Sequence, residues 1–177
     1  MLIVLLVILG VTVANTAAIL VGARRTGVVP MPSSIRVRRL IVSILSNYSH
    51  ARTITDLGSA WGGLARRIAR AFSDCEVEAV ELSRLPILLS RTAAFALRLT
   101  NIHHRRADIY RTRLRDNQAY VCFLSGPGMI RLRERFEQDL PTGGVLVSAV
   151  FAVPGWTPAR VEHATDLFRS TVYVYEF

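Results

Sequence analysis

Downstream of residue 52, short apolar runs of strand length alternate with segments of helical periodicity, and few folds accept that alternation. Thr53–Leu57 reads as a strand and residues 62–72 as a helix. Residues 77–82 read as a strand and 85–99 as a helix, and a short strand is placed near 106–109. A strand over 119–125, a helix over 129–140, a strand over 144–153 and a last strand over 170–177 complete the series. Period-2 or wholly apolar runs separated by stretches of period 3.6 predict βα units, and hence an α/β fold with a mostly parallel sheet and helices on both faces. Runs such as VEAVEL and GVLVSAVFAV are nearly continuous in apolar residues, as required of strands covered on both sides. No internal repeat or low-complexity segment interrupts the series.

The first 23 residues carry no charged side chain and are dominated by Leu, Ile, Val and Ala. As a helix they would extend roughly 34 Å, enough to cross a hydrocarbon core of about 30 Å. A cleaved signal peptide would need a basic stretch ahead of the apolar one, and Met1-Leu2 provides none. Residues 1–23 are therefore expected to be a single transmembrane anchor, 24–32 a basic, proline-containing linker, and 33–177 one folded domain. Arg24, Arg25, Arg36, Arg38 and Arg39 follow the apolar stretch, which places the domain on the cytoplasmic side. All basic residues are arginine and the net charge is +9. The arginines are not interleaved with a repeated aromatic pattern, so a lipid surface or an acidic partner suits them better than specific nucleic-acid reading. Cys75 and Cys122 belong to no CxxC motif and His50, His103, His104 and His163 have no metal-ligand spacing with them, so neither a disulfide framework nor a metal site is expected.

Ser33 or Ser34 can cap a helix reaching Tyr48, with Val37, Leu40, Ile41, Ile44 and Leu45 along one face. The stretch ITDLGSAWGGLA then carries the most chemistry. A strand containing Asp56 meets a turn at Gly58, and Gly62-Gly63 lead into a helix. Glycines there let backbone approach a ligand at the carboxyl ends of parallel strands, where open α/β sheets bind cofactors. Glu81 ends the next strand, where a carboxylate can accept hydrogen bonds from both hydroxyls of a ribose. Asp108, after the third strand, is placed to meet the edge of an adenine. A nicotinamide-binding unit would need GxGxxG spacing, which Gly58, Ala60 and Gly62-Gly63 do not give.

DLGSAWG followed by VEAVELS resembles the class I, seven-stranded methyltransferases that use S-adenosylmethionine. The layout is similar to the small membrane-anchored protein lysine methyltransferases of the mitochondrial ADP/ATP carrier and the ATP synthase c-subunit. The shared features are the N-terminal apolar segment, a VPMPSS linker, DLGS at the first strand, GPGMIRLRERFEQDLPTGGVLVS, and PGWTPARV ahead of the terminal VYVYEF. The resemblance implies a Rossmann-like fold and cofactor roles for Asp56, Gly58, Ser59, Gly62, Glu81 and Asp108, with Asp56 beneath the methionine end. Ala60 departs from the pattern, standing where the superfamily has its middle glycine, and the segment 125–128 lacks the polar-aromatic motif of many amine methyltransferases.

Methyl transfer from a sulfonium is an in-line displacement, so the protein must align the acceptor and exclude water. Ser125 and Trp156 are the acceptor-side candidates, and no general base is legible. Three readings stay open: methylation of a lysine on a membrane protein, methylation of a lipid or lipophilic small molecule, and a membrane-tethered scaffold with a degenerate cofactor site. The acceptor and the oligomeric state are not encoded in any motif.

Overall fold

Four uninterrupted buried positions in Ile54–Leu57 make the centre of a sheet, because only a strand covered on both faces tolerates such a run. The computed structural model describes residues 34–48 and 51–177. Strand β1 (Thr53–Leu57) pairs in parallel with β2 (Glu76–Glu81) on one side and β4 (Ala119–Cys122) on the other. Outward from β2 lies β3 (Ile102–Arg106), and outward from β4 lies β5 (Val145–Ala149), both parallel. Two antiparallel strands, β7 (Thr171–Glu176) and then β6 (Arg160–His163), complete a seven-stranded sheet of order β3-β2-β1-β4-β5-β7-β6. The mostly parallel, Rossmann-like sheet is the expected one.

Helices cover both faces. On one, α1 (Ile35–Leu45), α2 (Gly63–Ala71) and Ala94 of α3 (Arg84–Ala96) bury against Ile54, Val77, Val121 and Val147. On the other, α4 (Gly126–Gln138) seats Met129, Leu132 and Phe136 against Leu57, Tyr120 and Leu146. Ser34 caps α1, its Oγ accepting from the Val37 amide at 3.1 Å. The buried residues of α1 are Val37, Ile41, Ile44 and Leu45, the face that the periodicity marks. A 3-10 turn, Ser46–Tyr48, finishes that segment, and Tyr48 Oη donates to the Glu176 carboxylate at the amino end of the parallel strands.

Several elements differ from expectation: the strand over 119–125 ends at Cys122, the helix over 129–140 begins at Gly126, and the helix over 85–99 ends at Ala96. The third strand runs over Ile102–Arg106, not 106–109, and Ile109–Arg111 form a 3-10 turn. His103, His104 and two arginines hide this strand from a hydropathy reading, yet β3 is a sheet edge, where polar side chains are the rule. The apolar run 144–153 leaves the sheet after Ala149 because Val150 takes φ +70, a left-handed conformation that ends pairing. Strand β6, RVEH, is exposed at three of its four positions and gives no alternation signal. The proposed anchor, residues 1–23, and the linker, 24–32, lie outside the described residues. Among those described, no helix is long and apolar enough to cross a membrane.

Candidate cofactor site

Parallel strands deliver their carboxyl ends to one edge, and β1 and β2 bring Asp56 and Glu81 there one strand apart. The chain leaving β1 turns at once, with the Gly58 and Ser59 amides both donating to the Val80 carbonyl at 3.0 and 2.9 Å. Gly58 has φ +86 and Gly62 has φ +71, a region that L side chains enter only with strain. At Gly62 the constraint is also steric, since a Cβ there would lie 1.8 Å from Ser90 Oγ of α3. Gly62 caps α2 and the turn aims the amino end of that helix along the carboxyl edge.

Glu81 holds this turn in place. Its Oε2 accepts from the Ala60 amide at 3.0 Å and its Oε1 from the Ser83 amide at 2.8 Å. An ionised carboxylate has about four acceptor sites, so two remain for a diol. Ala60 itself sits at φ +45, which explains why a glycine is the natural occupant. We expect Ala60→Gly to raise the unfolding free energy by roughly 0.5 kcal/mol. Relief of the left-handed conformation is worth about 1 kcal/mol, and glycine's greater freedom in the unfolded chain returns about half. Urea unfolding at neutral pH measures it, and a loss above about 1 kcal/mol would show that the alanine methyl is a packing contact instead.

Asp56 is 3% exposed, and its Oδ2 is a buried oxygen without a hydrogen-bond partner. Burial raises its pKa to about 7, with the Glu81 charge adding to the rise, while the Ala65 amide and the Arg38 guanidinium oppose it. An orphaned carboxylate oxygen near the carboxyl end of β1, with a second carboxylate at the end of the neighbouring strand, is a set of acceptors for a ligand that carries a cationic amine and a sugar diol.

Asp108 belongs to the same edge, following β3, and its side chain accepts from the Tyr110 amide at 3.0 Å to cap the 3-10 turn. Ser125 follows β4 there and is the N-cap of α4. Asp56, Gly58, Ser59, Gly62, Glu81, Asp108 and Ser125 therefore share one edge. Trp156 does not join them. Its ring packs edge-on against Phe136, in the last turns of α4, and Tyr175, which pairs with Leu146 at the far end of β5. With Leu140, Thr157 and Phe177 it lines a shallow groove at the amino end of the strands.

Two contributors escape a reading by motif. Arg38, grouped with the surface arginines in the sequence, is half-buried, and its Nη1 lies 2.6 Å from where a Cβ on Gly63 would stand. Burial lowers its pKa and the Asp56 charge counters that. Its position one residue after Val37 and three before Ile41, on the flank of the apolar stripe, is the signal that points it inward. Ser90, fully buried, hydrogen-bonds His104 Nε2 of β3 at 2.7 Å and so fixes α3 under the glycine turn. Among the described residues no cluster of His, Cys, Asp or Glu could hold a metal ion.

Residues 56–160 match the ANTKMT methyltransferase domain family. No curated protein matches the chain. Among solved structures, an RNA methyltransferase from Salinibacter ruber, in complex with S-adenosyl-L-homocysteine, superposes with a TM-score of 0.69 at 21% identity, over 82% of this chain and 92% of that one. A precorrin-6y C5,15-methyltransferase from Geobacter metallireducens gives 0.63 at 12% identity over 82% and 90%. A SAM-dependent O-methyltransferase from Thermotoga maritima gives 0.62 at 13% identity over 83% and 67%. At these identities the likeness is one of fold.

Proposed function

The chain belongs to the ANTKMT methyltransferase domain family, that of the ADP/ATP translocase lysine methyltransferases, and from that premise we propose that it methylates a lysine amine of a membrane protein while held at the bilayer by residues 1–23. It is an S-adenosylmethionine-dependent methyltransferase. The observation that carries the site assignment is the buried Asp56 carboxylate, its Oδ2 without a partner, one strand from Glu81 at the carboxyl edge beside the glycine turn. That pair supports a division of labour in which Asp56 faces the amine of the methionine moiety and Glu81 the ribose hydroxyls. Gly58, Ser59 and Gly62 shape the turn between them, and Asp108 stands toward the base.

S-adenosylmethionine supplies a methyl group activated on a sulfonium, which a neutral amine displaces. The protein's part is alignment and exclusion of water. Glu81 anchors the turn through two backbone amides, so the cradle is set before any ligand arrives. Ser125, heading α4 at the end of β4, is the residue we assign to the acceptor side. The lysine must arrive neutral, which a pocket of low polarity at a membrane surface favours. The family and the uncharged N-terminal stretch favour a membrane-protein acceptor on the cytoplasmic side over a free lipophilic molecule.

The test is methyl transfer from methyl-labelled S-adenosylmethionine by the full-length chain incubated with membranes. Label on a protein band as methyl-lysine, lost in Asp56→Asn, is the expected result. Label recovered only in the lipid extract would replace the lysine with a lipid acceptor. Absence of both labelling and calorimetric cofactor binding would defeat the reading.

A further inference from the structure

The loop between β6 and β7 exposes Leu167 and Phe168 at 88% and 85%, two large apolar side chains side by side with no core to join. It is not a slack loop. Asp166 Oδ1 accepts from the Ser170 amide at 2.8 Å, and its Oδ2 accepts from Ser170 Oγ at 2.8 Å. Ser34 Oγ donates to the same Oδ2 at 3.0 Å. Arg169 is held at φ +47. Three hydrogen bonds to one carboxylate hold the tip outward and tie it to the first residue of the described domain.

The topology says which edge this is. His163 pairs with Thr171, and β7 continues into Val172 opposite Ala149, the last residue of β5. The loop therefore projects from the carboxyl edge of the sheet, the edge that carries Asp56 and Glu81. Helix α1 also begins there, with Ile35 61% exposed in its first turn. Arg36 and Arg169 stand at the start of α1 and in the loop itself, so the apolar tip has cationic neighbours, and Arg84, at the start of α3, lies on the same edge four strands away. The chain that enters at Ser34 is preceded by 33 residues, of which the first 23 are uncharged and apolar and are followed by Arg24 and Arg25.

We propose that the carboxyl edge of the sheet lies against the bilayer, with Leu167 and Phe168 inserted at the headgroup–acyl boundary and Arg36, Arg84 and Arg169 on anionic headgroups. A bilayer fits this surface because it offers apolar depth and negative charge together, in the order in which the tip and its arginines present them. The consequence concerns the substrate. A cofactor edge turned toward the membrane takes an acceptor amine carried at the bilayer interface, and an amine on a domain far above that surface is out of reach. This inference rests on the membrane-bound reading of the preceding subsection.

Phe95 offers an internal control, being 86% exposed in the last turn of α3, at the opposite edge of the sheet. Full-length Phe168→Trp and Phe95→Trp proteins are reconstituted with vesicles of phosphatidylcholine and phosphatidylglycerol carrying brominated acyl chains. The emission of Trp61 and Trp156 is subtracted with the wild-type protein. Quenching of the added tryptophan in Phe168→Trp, and none in Phe95→Trp, is the expected result. If the chain floats with the vesicles and neither position is quenched, or both equally, the orientation is wrong while membrane attachment stands. If the full-length chain does not float, the membrane reading falls and this inference with it. Both sites are on the surface, so neither substitution threatens the fold.

Discussion

At pH 8 and without cofactor, Asp56→Asn unfolds at higher urea than the wild-type protein, and S-adenosylmethionine no longer stabilises it. The first half follows from burial. An Asp56 pKa of about 7 against an ordinary 3.8 corresponds to about 4 kcal/mol, the work of holding an ionised carboxylate in that environment. Because the folded value is the higher one, the native state holds this proton more tightly than the unfolded chain. Its stabilising contribution is complete below 3.8 and is lost as the pH rises through about 7. Asparagine keeps the oxygen that accepts from the Ala65 amide and carries no charge, so the gain should be roughly 2–4 kcal/mol at pH 8, fall to about 1–2 kcal/mol at pH 5 and vanish only below 3.8. The second half follows from the site assignment. A cationic amine placed at Asp56 favours its ionised form, so wild-type affinity should fall about tenfold per pH unit below 7, while the variant binds weakly at every pH. Urea titrations at the two pH values, with and without cofactor, test both. A variant no more stable than wild type at pH 8 would show that water reaches the Asp56 carboxylate in solution. A variant that still binds would remove Asp56 from the cofactor.

That coupling of instability to binding is why part of the site is legible in the amino-acid sequence. Asp56 and the glycines stand out because they violate local preference: a charge inside an apolar strand, and backbone conformations that only glycine adopts without strain. The central strands are equally plain, since coverage on both faces leaves near-continuous apolar runs. Where cover is partial the signal fades. Strand β3, with Ile102 as its only aliphatic residue, sits at one edge and β6 at the other; the first is placed four residues too late and the second gives no strand signal. The parts of the site that a motif does not reveal are those made by packing between distant segments. Arg38 reaches the start of α2 from α1, and Ser90 reaches Gly62 from α3, 28 residues on, and no spacing rule joins such pairs. Trp156 shows the reverse error: proximity in sequence to a loop suggests the acceptor side, whereas aromatic packing on Phe136 and Tyr175 draws it to the other end of the sheet.

The contact between Gly62 and Ser90 makes the second large effect. Gly62→Ala places a methyl group 1.8 Å from Ser90 Oγ and 2.9 Å from Ser90 Cβ, with the backbone already at φ +71. Ser90 cannot swing away, because it is fully buried and hydrogen-bonded to His104. The left-handed conformation costs about 1–2 kcal/mol for an L residue and forced overpacking about 1–3, so a loss of roughly 3 kcal/mol is expected. The loss has two separable parts, and a double substitution separates them. Ser90→Gly removes both Ser90 atoms and leaves Arg66 Nη1 at 2.9 Å, the far end of a flexible side chain that can give way, so in that background the alanine should cost little beyond its conformational strain, about 1–2 kcal/mol. The coupling between the sites would then be about 1–2 kcal/mol by urea unfolding of the four proteins. Cofactor affinity should follow the same cycle, because the clash can be relieved only by moving α3 or the turn, and the turn is tied through the Ala60 amide to Glu81. Simple additivity would mean that the cost at Gly62 is entirely backbone strain. A loss in stability with affinity unchanged would mean that α3 yields while the cradle holds its shape.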